Sequence, residues 1–136
     1  MSGWFADASV LLAGVDRRDP EHEAAAAMLA GPVSLATIDL AFYEVTNVAL
    51  RAWRSTELAV VLRRIVVAIG QDGGLVRVDE ELIANAAGVA EEHGLSAYDA
   101  AYVSGAAVTD AQLVSCDMRD LVVPGLAITP AQALAG

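Results

Sequence analysis

Lysine is absent from this chain. All eight basic residues are arginines, set against 18 acidic residues, for a formal net charge of −10 over 136 residues. A domain that grips nucleic acid by charge alone is basic, so this balance argues against an ordinary electrostatic DNA-binding module. Either the acids serve a site or the protein's partner is itself basic. Cysteine is nearly absent too. A single residue, Cys116, cannot form an internal disulfide, which suits a reducing cytoplasm, and without a Cys/His cluster zinc lacks its usual ligands. No apolar run reaches bilayer-spanning length, although hydrophobic residues make up 56% of the chain. The first apolar stretch, Trp4 to Val15, is broken by Asp7, and its basic pair, Arg17 and Arg18, follows it, the reverse of a secretory signal. These absences lead us to expect a cytoplasmic protein without membrane association. The apolar content excludes disorder, and the length fits one domain, 1–136, with a working core.

Strand and helix signals alternate from end to end, without linkers or low-complexity segments. Gly3 to Asp7 is a short apolar strand ending at Asp-Ala-Ser, a strand-to-helix junction. Glu21 to Leu29 is an Ala-rich helix opened by Pro20, and Pro32 to Ala36 a second strand. Ile38 to Trp53 has the pattern of an apolar helix, and a further helix from Thr56 or Glu57 to Ile69 is stopped by Gly70 and Gly73-Gly74. Leu75 to Val78 alternates as a third strand, Glu80 to Glu92 is helical, and Ser96 opens a helix to about Val108. Gln112 to Cys116 is a fourth strand, followed by a helical turn at Met118 to Leu121, an edge strand at Leu126 to Ile128 and a closing turn opened by Pro130. Strands separated by helices imply crossover connections and a mostly parallel α/β sheet of four or five strands, covered on both faces.

Ligands of open α/β sheets bind outside the carboxyl ends of the strands. Asp7 ends the first strand, Asp117 ends the fourth, and Asp99 lies in the first turn of the helix begun at Ser96. Each also reads as a helix cap: Asp7 with Ser9, Asp99 within a Ser96 capping box, Asp117 ahead of Met118. Glu44 is different, because it sits inside an apolar and therefore largely buried helix. Glu44, Asn47, Arg51 and Arg54 fall on one stripe by steps of three and four. That stripe reads equally as a solvent-facing Glu–Arg ladder or as the border of a cleft. Taken together, four carboxylates need neutralising: two near 4 Å repel by about 4 kcal/mol at an effective dielectric of 20. Oxygen-only ligands suit Mg²⁺ or Mn²⁺, ions that lower the pKa of an attacking water and screen a phosphate. The chemistry this suggests is metal-assisted phosphodiester hydrolysis.

The segments Phe5-Ala6-Asp7-Ala8-Ser9, Tyr43-Glu44-Val45-Thr46-Asn47, Leu95-Ser96-Ala97-Tyr98-Asp99-Ala100-Ala101-Tyr102 and Leu113-Val114-Ser115-Cys116-Asp117 together resemble a PIN domain. More narrowly they resemble the VapC toxins of bacterial and archaeal toxin–antitoxin pairs, over essentially the whole chain. The resemblance implies a Rossmann-like three-layer fold and an Mg²⁺ site, with Mn²⁺ as a substitute, in which Asp7, Glu44, Asp99 and Asp117 are both catalytic residues and metal ligands. It also implies endoribonuclease activity leaving 3′-hydroxyl and 5′-phosphate ends. Ser9, Ser115 and Asn47 match supporting polar positions, and Asp120 is an auxiliary acid or a helix-turn residue. Arg51, Arg54, Arg17 or Arg18 are left to hold the RNA backbone. The implied partners are RNA, a second copy of the chain and a cognate basic antitoxin of the VapB type in a hetero-oligomer, which would suit the −10 charge.

Other classes fit less well. A phospho-acceptor receiver domain needs a lysine near its last strands, and a phosphatase of the haloacid-dehalogenase type needs an Asp where Ser9 stands. A non-toxin PIN nuclease, or a PIN module that binds RNA or protein without cutting, stays as the alternative. His22 and His93 read as solvated or capping residues, Cys116 as a buried small residue, and Trp4 and Trp53 as core or interface. The Ala-rich helices 21–30 and 56–69 read as dimer or antitoxin surfaces.

Overall fold

A computed structural model describes residues 3–136. Four short strands, β1 (Trp4–Ala6), β2 (Leu35–Ile38), β3 (Leu75–Val76) and β4 (Gln112–Val114), form one sheet in the order β3-β2-β1-β4. Every pairing is parallel. The helices are α1 (Ala8–Val15), α2 (His22–Ala30), α3 (Leu40–Asn47), α4 (Thr56–Gln71), α5 (Glu80–His93), α6 (Ala97–Thr109) and α7 (Pro130–Ala135). The expected α/β architecture is therefore the observed one.

Crossover handedness decides the layers. Going from β1 to β2 to β3 the chain steps in one direction, so right-handed connections put α1 to α4 on one face. The return from β3 to β4 reverses direction and puts α5 and α6 on the other. Accordingly α6 packs on β1, β2 and β4 with α5 beside it, while α1 packs on β1 and α4 on β2 and β3. Between β1 and β4 the connections diverge to opposite faces, which opens a crevice at the carboxyl ends of these strands.

The core runs through both layers: Phe5, Leu11, Met28, Ile38, Leu62, Val66 and Leu121 are fully buried. Gly105 lets α6 lie close on β1, since a Cβ there would meet Phe5 Cζ at 2.5 Å. Phe5 in turn packs edge-on against the ring of Tyr102, with centroids 6.5 Å apart and planes at 74°.

Several boundaries differ from those read in the sequence. The second strand begins at Leu35, not Pro32, and takes in Ile38, because Thr37 and Ile38 pair with Leu75 and Val76 and Thr37 Oγ1 donates to Ala6 O at 2.8 Å. The third strand stops at Val76, and Arg77 and Val78 leave the ladder. The fourth stops at Val114, where Ser115 N–H turns to Ile128 O and Cys116 N–H to Ser9 Oγ. The edge strand expected at Leu126 to Ile128 is a single parallel bridge between Val114 and Ile128. The long helix from Ile38 ends at Asn47 and continues as a π-helical turn, Val48–Ala52. One extra residue per turn rotates Arg51 away from the Glu44–Asn47 stripe, and Arg54 sits at φ +52°, in the left-handed region. Among the described residues neither arginine pairs with Glu44, so the ladder of Glu and Arg on one helix face does not form.

Candidate active site

Asp7 follows β1 and caps α1. Its Oδ1 accepts from Val10 N–H at 3.2 Å and from the Ser9 hydroxyl at 2.5 Å, and its Oδ2 accepts from the Ser115 hydroxyl at 2.5 Å. Each serine is itself held: Ser9 Oγ accepts from Cys116 N–H at 2.8 Å and Ser115 Oγ from Asp117 N–H at 3.0 Å. The two hydroxyls thus link the amides that leave β4 to the carboxylate that leaves β1. Burial raises the pKa of Asp7 from 3.8 to about 6; the Ser115, Ser9 and Val10 bonds oppose that rise and the charge of Asp99 adds to it. Capping and site membership coexist here.

Asp99 stands in the first turn of α6. Ser96 Oγ accepts the Asp99 N–H at 3.1 Å, but the reciprocal bond that would complete a capping box is not made. The carboxylate is instead turned toward other acids. Its pKa is raised, first by burial and then by the charges of Asp117, Asp120 and Glu44, with the Ser96 hydroxyl opposing. Asp117 follows β4 and caps a second π-helical turn, Met118–Val122, by accepting Asp120 N–H at 3.0 Å. Asp120 accepts from Arg119 Nε at 3.1 Å and Nη2 at 3.3 Å.

Glu44, half-buried on α3, accepts from the Tyr102 hydroxyl at 2.6 Å. Burial, followed by the neighbouring Glu44, raises the phenol far above its ordinary 10, so it stays a donor. Sequence reasoning missed Tyr102, although its place three residues after Asp99 on one helix face was a usable signal.

Among the described residues one group of acids can close on a single cation: ligand oxygens of Asp99, Asp117 and Asp120 lie within 4.8 Å of one another. Two of the four acids singled out from the sequence, together with the auxiliary Asp120, make up this group. Asp7 and Glu44 stand outside it but couple to Asp99 by charge. Asn47 is exposed at the end of α3, and Arg51 and Arg54 are exposed in and after the π-helical turn. A donor set made only of carboxylate oxygens fits a hard divalent cation, Mg²⁺ or Mn²⁺.

The remaining polar residues have local roles. His22 Nδ1 lies 2.8 Å from Ala13 O and ties α2 to α1. His93 ends α5 beside Glu92 at 3.8 Å. The Cys116 thiol is half-buried and pushed up to about 12, chiefly by burial, so it is no nucleophile. Trp4 and Trp53 pack against the core. Among the described residues no helix is long and apolar enough to cross a membrane.

A parallel α/β sheet with acids gathered at its topological switch point defines a class of sites for cationic or phosphate-bearing ligands. The particular family follows from comparison: the PIN domain model matches residues 5–123, and the chain belongs to that family. A search of curated protein sequences finds no match. Among solved structures, the chain is similar to one in a toxin–antitoxin complex from Klebsiella pneumoniae, with 17% identity, TM-score 0.69 and coverage of 93% of this chain and 96% of that one. It is also similar to PAE2754 from Pyrobaculum aerophilum, with 23% identity, TM-score 0.67 and coverage of 98% and 90%. A third similar structure is the Mycobacterium tuberculosis toxin VapC20, described as cleaving the sarcin–ricin loop, with 19% identity, TM-score 0.66 and coverage of 90% and 95%. At such identities the likeness speaks for the fold.

Proposed function

We propose that this protein is a divalent-metal-dependent endoribonuclease and the toxin of a VapBC-type toxin–antitoxin module. The observation that carries the proposal is the convergence of Asp99, Asp117 and Asp120 to within 4.8 Å at the switch point of a PIN fold. In this reading Asp99 and Asp117 hold the cation with Asp120, while Asp7 and Glu44 complete the acidic wall around it. A bound Mg²⁺ or Mn²⁺ would neutralise the carboxylates, polarise a phosphodiester and lower the pKa of an attacking water.

The chain's own residues have separable tasks. Ser9 and Ser115 orient both oxygens of Asp7 and keep its carboxylate from turning. Tyr102 orients Glu44. The π-helical turn after Asp117 holds Asp120 beside it. Asn47, Arg51 and Arg54 lie on the α3 side and are candidates for polar and phosphate contacts with RNA. A homodimer and a complex with a basic antitoxin are the proposed assemblies; the net charge of −10 and the toxin–antitoxin context of the neighbours support a basic partner.

The test is cleavage of purified RNA with Mg²⁺, with EDTA, and with Mg²⁺ restored, for the natural protein and for Asp99→Asn. The expected result is cleavage only in the metal-supplied natural protein, with 3′-hydroxyl and 5′-phosphate ends. Cleavage that survives EDTA would refute the metal-dependent reading. RNA binding without cleavage would make this a non-catalytic PIN module, and growth unaffected by expression of a cleaving protein would make it a nuclease outside a toxin pair.

A further inference from the structure

A groove that carries an arginine lies outside the site described above. It lies at the carboxyl ends of β2 and β3 and is lined by Asp39, Leu40, Phe42, Tyr43, Arg77 and Val78, with a volume of about 530 Å³. Its position follows from the strand ends. Asp39 comes directly after β2 and accepts Val78 N–H on both carboxylate oxygens at 3.3 Å, while Asp39 N–H donates to Val76 O at 2.9 Å. These bonds fix the loop that carries Arg77 against the start of α3. With the order β3-β2-β1-β4, the groove stands one to two strand spacings, about 5–10 Å, from the acid at the end of β1 and two to three, about 10–14 Å, from those at the end of β4.

Two features mark what the groove takes. Tyr43 is 80% exposed on α3, and it directly precedes Glu44 in the chain. A ring this exposed contributes little to the core, and it forms part of the groove wall. Arg77 is exposed and, among the described residues, forms no ion pair, in a chain where acids outnumber cations by more than two to one. A ring face and a free guanidinium in one groove match an unpaired nucleotide, whose base stacks and whose phosphate takes the cation.

We propose that this groove is a nucleoside subsite that receives one unpaired base of single-stranded RNA next to the scissile phosphate, stacked on Tyr43, with Arg77 on the flanking phosphate. The inference rests on the ribonuclease reading and adds to it the place and the residues that hold one turned-out base, since a paired base cannot stack on Tyr43. Asp39 acts as a fixed wall of the groove, held in place by Val78 N–H.

The test uses cleavage-inactive Asp99→Asn protein and a fluorescent single-stranded RNA, with binding followed by anisotropy against the matching duplex. Tyr43→Ala should weaken single-strand binding roughly 5- to 150-fold, the effect of losing one stacked base, and leave duplex binding unchanged. Tyr43→Trp should restore it. Arg77→Ala should weaken binding and reduce the salt slope by about one. Since both side chains are exposed, melting curves should not move. Unchanged binding in Tyr43→Ala, with a natural protein that cuts RNA, would overturn the subsite alone. A natural protein that neither binds nor cuts RNA would remove the ribonuclease reading and the subsite together. A change in self-association instead of RNA binding would overturn the subsite and identify the groove as a protein interface.

Discussion

Ser115 donates its hydroxyl hydrogen to Asp7 at 2.5 Å and accepts the amide hydrogen of Asp117 at 3.0 Å. One side chain thus ties the acid that leaves β1 to the acid that leaves β4 across the switch point of the sheet. Asp7 is consequently held in a buried position that is costly for a charge, and this has a consequence for stability.

In metal-free protein, stability should fall as pH rises from about 4 to about 7. The pKa of Asp7 is raised from 3.8 to about 6, so the native state holds this proton more tightly than the unfolded chain does. The favourable contribution is complete below the unfolded value and is lost as pH passes through about 6, a change on the order of 3 kcal/mol for a buried group. The upward direction of Asp99 adds to it. Asp7→Asn should flatten the profile and keep or raise neutral stability while abolishing cleavage. Urea midpoints with EDTA across this range measure it. A flat natural profile, or a large loss in Asp7→Asn, would mean that the carboxylate, held by Ser9, Ser115 and Val10, stabilises the fold instead of straining it.

Tyr102→Phe should raise the Mg²⁺ concentration for half-maximal cleavage, or lower the rate, by roughly 10- to 100-fold, the range seen when a partner of a metal-site acid is removed. The hydroxyl holds Glu44 at 2.6 Å, while the ring packing on Phe5 is kept by Phe. The fold should therefore be unaffected, and circular dichroism with metal-dependent kinetics separates the two effects. Unaltered kinetics would mean that Glu44 needs no orientation.

Gly105→Ala should destabilise by about 1–3 kcal/mol through overpacking. The added methyl would meet Phe5 Cζ at 2.5 Å, and both α6 and β1 are buried there. The expected reading is a lower urea midpoint with an unchanged slope. Because Phe5 supports Tyr102, cleavage should fall as well.

How far these relationships could be read beforehand differs by residue. The α/β alternation was plain because strand and helix periods differ, and Asp7, Asp99 and Asp117 could be placed because strand and helix ends are marked by local chemistry. The π-helical turn at Val48–Ala52 was not legible, since its extra residue is invisible to a 3.6-residue pattern, and the Glu–Arg ladder from Glu44 to Arg54 does not form. The turn at Met118–Val122 had the same effect in the opposite sense: it brings Asp120 into the acid group, where spacing alone left it ambiguous. Tyr43 and Arg77 come to line one groove through the pairing of β2 with β3, between segments far apart in the chain.

Arg119 bears on the same acid group from outside. It binds Asp120 through Nε and Nη2 and is almost wholly exposed, so the pair contributes little to the fold. Asp120 oxygens engaged by a guanidinium are, however, less available to a divalent cation. Arg119→Ala should therefore leave the melting temperature unchanged and tighten Mg²⁺ or Mn²⁺ binding by roughly up to fivefold, the scale of one exposed ion pair. Asp120→Asn should weaken binding instead, and combining the two changes should show no gain from removing Arg119. Titration calorimetry with Mn²⁺ decides between these outcomes. Equal affinity in all three variants would place Asp120 outside the metal's coordination and leave Asp99 and Asp117 to depend on Asp7 and Glu44.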